Sequence, residues 1–196
     1  MDPIYAEAIK KLSEQLDEAQ RRCDRESHTG ALATADSDAR PSVRTVNVCR
    51  IAPSGLAIFV NTRTGKGQQL TSNPRAAICF HWRVLEYQAI VEGEVVWLDD
   101  ADADVLWSKQ PREFCMGHWL SDQTHAAKEP AALRKTMNDL KRRFESGRVP
   151  RPPDWRAFEL RPNRIDLWST GWDRVLPRMH YAKADDGRWT SAKLGA

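Results

Sequence analysis

Residues 55–94, GLAIFVNTRTGKGQQLTSNPRAAICFHWRVLEYQAIVEGE, decide the fold class. The β-branched apolar run around Ile58 to Val60 reads as a strand. The polar TGKGQQLTSNP that follows is helix-compatible, and Pro74 stops whatever helix it forms. RAAICFHWRV and YQAIVEGEVVWL read as two further strands. Upstream, strand runs around Leu32 and Val43 to Val48 are broken at Asp36 to Pro41 and at Pro53 to Gly55, which makes a three-strand meander with the first run. Earlier still, residues 3–24 place Ile4, Ala8, Leu12, Leu16 and Ala19 on one helical face, so the chain opens with an amphipathic helix within residues 1–25. Downstream, DDADADVLWSKQ begins with acids suited to a helix N-terminus and should turn Val105, Leu106 and Trp107 inward. Residues 112–125 read as an aromatic-rich loop or short helix, and 128–146 as a charged helix. GRVPRPPDW is an extended connector, because its prolines forbid helix. Residues 157–194 return to strands, with a turn at Asp185 to Gly187. The expected architecture is mainly β with peripheral helices (α+β), an antiparallel barrel in a single domain, residues 1–196.

Composition narrows the class of function. The chain has 196 residues, 30 Lys+Arg against 27 Asp+Glu, and 41% hydrophobic residues. Collagenous, mucin-like and wholly disordered classes are thereby excluded. No apolar run approaches the roughly 20 residues of a membrane helix, so no membrane partner is expected. The opening MDPIYAEAIKKLSEQLDEAQRRCDRE lacks the apolar centre of a secretory signal, and a cytoplasmic location is the expectation. A net charge of +3, with acids interleaved among the bases, argues against a nucleic-acid partner. Cys23, Cys49, Cys79 and Cys115 form no CxxC pair, and the histidines form no HExxH. Buried free cysteines and no metal are expected.

Three polar clusters interrupt the strands. Arg44 sits mid-strand in SVRTVNVCR. If it points inward it needs an anion or several acceptors to offset desolvation; if outward it is an ordinary solvated residue, which periodicity alone favours. In NTRTGKGQQL, backbone amides at a helix start join Thr64 and Lys66 in the kind of site that holds phosphate, although the spacing is not that of a nucleotide-triphosphate loop. RIDLWSTGWDRVLPR brings Trp168, Trp172, Arg174 and Arg178 together, suited either to a core or to a flat aromatic ligand. Local sequence suggests no Ser-His-Asp or Cys-His arrangement, so hydrolysis is poorly supported.

Taken in order, GALATADSDARPSVRTV, the 55–94 stretch, QPREFCMGHWLSDQT and VPRPPDWRAFELRPNRIDLWSTGWDRVLPR resemble the flavin-dependent pyridoxamine 5′-phosphate oxidases and their relatives in phenazine biosynthesis. The resemblance implies an FMN-binding split β-barrel that dimerises with flavin at the subunit interface, residues 150–196 completing the flavin site. It implies that Arg44 and Lys66 hold the FMN phosphate, that the Phe59 and Val60 main chain lies beside the ribityl chain, and that Gln88 bonds the flavin ring. Gln123, Thr124, Trp168 and Arg178 match further flavin contacts. Gly65 stands where a second phosphate-binding arginine is usual, leaving neighbouring Arg63 as the candidate substitute.

The substrate side departs from the family. Where true pyridoxamine phosphate oxidases hold the substrate phosphate with lysine, tyrosine, arginine and serine, this chain has Cys49, Leu106, Gln110 and Phe114. At about 1–3 kcal/mol for each lost hydrogen bond to a charged group, phosphate recognition falls close to nothing. Arg174 is kept to face the substrate, but the signature histidine has become Leu176. Arg50, Arg112 and His118 are candidates to rebuild an anion site; otherwise the pocket is more apolar than is usual. The reading is an FMN-dependent oxidase, with Arg174 and Arg178 at the reaction centre, passing electrons from a small non-pyridoxal molecule to molecular oxygen. The alternatives are a genuine pyridoxamine or pyridoxine 5′-phosphate oxidase with a rebuilt site, or a non-catalytic flavin, deazaflavin or haem binder.

Overall fold

The computed structural model describes residues 1–22, 26–123, 129–169 and 178–195. Helix α1 (Pro3–Arg21) starts where Asp2 caps it, its carboxylate accepting from the Ile4 amide at 2.8 Å, with Pro3 in the first turn where no N–H is needed. Residues 23–25, the expected end of this helix, lie outside the described residues. The strands are β1 (Thr29–Ala35), β2 (Pro41–Ala52), β3 (Gly55–Asn61), β4 (Arg75–Trp82), β5 (Tyr87–Trp97), β6 (Trp155–Ser169), β7 (Arg178–Lys183) and β8 (Trp189–Leu194). Helix α2 (Gly65–Ser72) follows β3, and α3 (Asp100–Ser108), α4 (Arg112–Gln123) and α5 (Pro130–Arg143) separate β5 from β6.

All pairings are antiparallel, in the order β3-β2-β1-β4-β5-β6-β7-β8. A further pairing of β3 with β6 closes the first six of these into a barrel, which removes their free edges. β6 makes closure possible by changing partners: residues 155–160 pair with β3 and residues 164–167 with β7, while β5 runs along its other side. Where β5 bulges, Gly93 passes so close to β6 that an added Cβ would lie 2.1 Å from the Arg161 carbonyl oxygen.

β3 is buried along its whole length, and its period of two divides the interior. Leu56, Ile58 and Val60 enter the barrel core, which the α1 residues Ala8, Ile9, Leu12, Leu16 and Ala19 cover. Ala57 and Phe59 face a second core with Leu106, Trp107, Trp119, Leu140 and Trp155, under the three helices after β5. Residues 112–123 form a helix, one of the two readings open for that stretch. Two expectations need correction. Val105 is 57% exposed, because its neighbours Leu106 and Trp107 take the inward positions of α3. Cys115 is a buried free thiol, but Cys49 and Cys79 are only half-buried; Cys23 lies outside the described residues. No helix among the described residues is long and apolar enough to cross a membrane.

Candidate functional site

The polar stretch after β3 builds a cationic corner. The Thr64 hydroxyl donates to the Asn61 carbonyl at 2.7 Å and caps α2 by accepting from the Gly67 amide at 3.4 Å. Gly67 is packed against this turn: a Cβ there would lie 2.6 Å from both the Asn61 carbonyl oxygen and Thr62 Cα. Lys66 is held half-buried at the helix start. Arg44, on β2, is half-buried too, and points inward. It donates to the Leu32 carbonyl at 3.2 Å, the Thr34 hydroxyl at 2.6 Å and the Gln69 side-chain oxygen at 3.3 Å. These acceptors are all neutral. No acidic side chain among the described residues pairs with Arg44 or Lys66. Burial lowers the Arg44 pKa, and burial, then the Arg44 charge, lowers that of Lys66. Two partly desolvated cations without a counter-ion make a site for an anion. Arg63 does not add to it as expected, since its guanidinium is engaged by Asp154 at 3.0 Å.

A second group forms where β5, β6 and β7 run side by side. Gln88 lies directly opposite Trp168 in the β5–β6 register. The Arg178 guanidinium stands 4.7 Å from the Trp168 ring centre. Beneath them Asp166, at 0% exposure, binds Arg178 and Arg164 at 2.9 Å each and His180 at 2.8 Å. Sequence reasoning passed over Asp166, although an acid between two strand arginines was a signal for it. β2 and β5 are opposed across the six-stranded barrel, with two strands between them in either direction, so these two groups occupy opposite walls.

A third group is a cleft of about 660 Å³ between β2, the end of α1 and the α3–α4 corner. Cys49, Leu106, Gln110 and Phe114, far apart in sequence, all line it. Burial pushes the Cys49 thiol up to about 12, so it carries no charge at neutral pH. Gln110 turns its amide back to the Leu106 carbonyl at 3.1 Å. The expected cations are largely engaged elsewhere. Arg50 lines the cleft but binds Glu159 at 2.9 Å, and Arg112 donates to the Phe144 and Gly147 carbonyls. His118 packs 4.0 Å from each of the Phe114 and Trp155 rings, and burial lowers its pKa. The cleft is nevertheless less apolar than expected: Gln20, His28, Asn47, Asp102 and Lys109 also line it, brought in by α1, β2 and α3 packing that sequence spacing does not show.

Phe59 and Val60 are core residues, leaving only their main chain for any ligand. The side chain of Gln123, and Thr124, Trp172, Arg174 and Leu176 altogether, lie outside the described residues.

Residues 16–169, well over half the chain, match the family model described as pyridoxamine 5′-phosphate oxidase. The chain is 38% identical to the pyridoxine/pyridoxamine 5′-phosphate oxidase of Anaeromyxobacter dehalogenans (strain 2CP-C), over 91% of this chain and 90% of the relative. It is 36% identical to the protein of the same name from Alkalilimnicola ehrlichii, over 94% and 95%. Among solved structures, PhzG from Burkholderia lata 383, in complex with tetrahydrophenazine-1-carboxylic acid, is 28% identical with a TM-score of 0.82, over 100% of this chain and 98% of that one. An FMN-binding protein related to pyridoxamine 5′-phosphate oxidase from Nostoc punctiforme shares the fold at 19% identity and a TM-score of 0.72, over 93% of this chain and 96% of that one. By fold, length and sequence, the chain belongs to the pyridoxamine 5′-phosphate oxidase family.

Proposed function

We propose that this chain is an FMN-dependent oxidase whose small-molecule substrate carries no phosphate. The observation that carries the reading is the convergence of Cys49, Leu106, Gln110 and Phe114 on one cleft. None of the four offers a charge to a phosphate dianion. The PhzG structure, solved with a carboxylated tricyclic ligand, supports a flat ring system without phosphate.

The residues present fit FMN. Arg44 and Lys66 supply two cations without an acidic partner among the described residues, which is what a phosphate monoester requires. Gln88 and Arg178 would meet the polar edge of a flavin ring, with Trp168 against its flat surface. The chemistry that FMN supplies is two-electron acceptance from a C–H bond, with the electrons passed on to molecular oxygen. The protein's part is orientation: the phosphate site anchors one end and the Gln88–Trp168–Arg178 group fixes the other, while the family resemblance alone assigns Arg174 to the substrate. Because these groups sit on opposite walls of the barrel, one flavin is best held between two copies, the phosphate site from one and the Trp168 group from its partner.

The test is FMN titration of the purified protein, followed by oxygen-consumption assays with pyridoxine 5′-phosphate and pyridoxamine 5′-phosphate. Tight FMN binding with negligible turnover of both supports the reading. Rapid turnover at micromolar substrate overturns it in favour of a genuine pyridoxine or pyridoxamine 5′-phosphate oxidase. That second reading is favoured by the names of the relatives and by Lys109 at the cleft rim.

A further inference from the structure

The cleft that Leu106 and Phe114 line also has a polar rim, made of Gln20 at the end of α1 and Asn47 on β2. Both side chains are held from behind. His28 Nδ1 lies 3.1 Å from the Val48 carbonyl oxygen, which can only accept, so Nδ1 donates there. Its Nε2 then accepts from the Gln20 amide nitrogen at 2.8 Å. The Thr29 hydroxyl donates to the Asn47 side-chain oxygen at 3.0 Å. What remains for the cleft is one N–H of Gln20 and both N–H groups of Asn47, none of them bonded to a described residue. These are fixed, uncharged donors. They suit an sp² oxygen on a ring and do not meet the charge of a phosphate dianion.

We propose that Gln20 and Asn47, locked by His28 and Thr29, recognise a carbonyl or carboxylate oxygen on the edge of a planar two- or three-ring substrate, whose body lies against Leu106 and Phe114. This deepens the reading of the cleft given above, and it names residues outside the phosphate-binding positions.

The test uses FMN-loaded protein and calorimetric titration with quinoline-4-carboxamide, quinoline-4-carboxylate and unsubstituted quinoline. The wild type should bind at least one of the substituted rings about tenfold or more tightly than quinoline. Gln20→Leu combined with Asn47→Leu, both at exposed positions, should abolish that preference while leaving FMN affinity unchanged. Gln20→Glu should weaken the carboxylate probe and spare the carboxamide. A preference for carboxamide identifies a neutral carbonyl as the group read; a preference for carboxylate identifies an anion, with Lys109 assisting. Equal binding of all three probes, no binding of any, or an unchanged preference in the double variant overturns the proposal. Failure to bind FMN is read separately and counts against the cofactor assignment.

Discussion

Asp166 grips Arg178 with both carboxylate oxygens, Oδ2 to Nη2 at 2.9 Å and Oδ1 to Nε at 3.2 Å. Arg164 and His180 bind the same buried carboxylate. Burial alone would raise its pKa, but hydrogen bonds from Arg178 and His180 and the charges of Arg164 and Arg178 outweigh burial and hold it below 3.8. A lowered carboxylate pKa contributes stability above the ordinary value, and that contribution is lost as pH falls through the folded value. Asp166→Ala should therefore cost about 3 kcal/mol at pH 7, the low end for a broken buried pair because its partners keep contact with water. Thermal melts should show a fall of roughly 6–12 °C. The difference between wild type and variant should shrink as pH falls below the ordinary aspartate range and through the lowered folded value.

Arg44 and Lys66 repel each other in the absence of an anion. Lys66→Met should weaken FMN binding about tenfold or more in a fluorescence titration, the value of a charge-assisted hydrogen bond. Inorganic phosphate should raise the melting temperature of FMN-free wild type and have a smaller effect on the variant. The lowered Lys66 pKa also gives a sign: the unfolded chain holds this proton more tightly, so the FMN-free protein gains stability from this residue as pH rises towards 10.5. That gain should be absent in Lys66→Met.

The sequence was informative where its signals were local. Strand runs, the Pro74 stop, the opening helix and the order of elements follow from periodicity and turn residues, and the ordered blocks pointed to the family. Orientation was less accessible. Arg44 alternates with exposed Val43 and Thr45, so its pattern is that of a solvated residue, and only α2 packing across β1 and β2 shows that Thr34 and Gln69 receive it. Val105 and Leu106 are equally apolar, yet one is exposed and the other buried, a difference set by the rotation of α3 against β3. The polar cleft rim joins Gln20, Asn47 and Lys109 across long sequence separations, and no local pattern encodes that meeting.

Two nearby glycines should respond oppositely. Nothing lies within 4 Å of a Cβ built on Gly65, whereas one on Gly67 would strike Asn61 and Thr62. Gly65→Arg should fold normally, gain about 1 kcal/mol from helix propensity, and tighten FMN binding by placing a third cation at the phosphate site. Gly67→Ala should open the turn that holds Thr64 and Lys66 and weaken FMN binding. Melting curves and FMN titrations of both variants check the pair; a Gly65→Arg protein with unchanged FMN affinity would place the phosphate elsewhere.

The cleft itself can be asked whether it once took phosphate. Gln110 follows the C-terminal end of α3, where a cation is favoured by the exposed helix carbonyls, and its own amide already bonds the Leu106 carbonyl. Gln110→Arg can keep that bond with one guanidinium nitrogen and turn the others to the cleft. Adding Cys49→Lys supplies a second cation from β2, on the same cleft. At about 1.5–3 kcal/mol for a hydrogen bond to a charged group, Gln110→Arg should tighten binding of pyridoxal 5′-phosphate by roughly ten- to a hundredfold, measured by calorimetry. The double variant should exceed it by less than an equal factor, because the partial burial of the Cys49 position lowers the pKa of a lysine placed there. An unchanged affinity in both variants would mean that these positions do not face a bound phosphate, and the apolar substitutions at Leu106 and Phe114 would then need a cause other than the loss of a phosphorylated substrate.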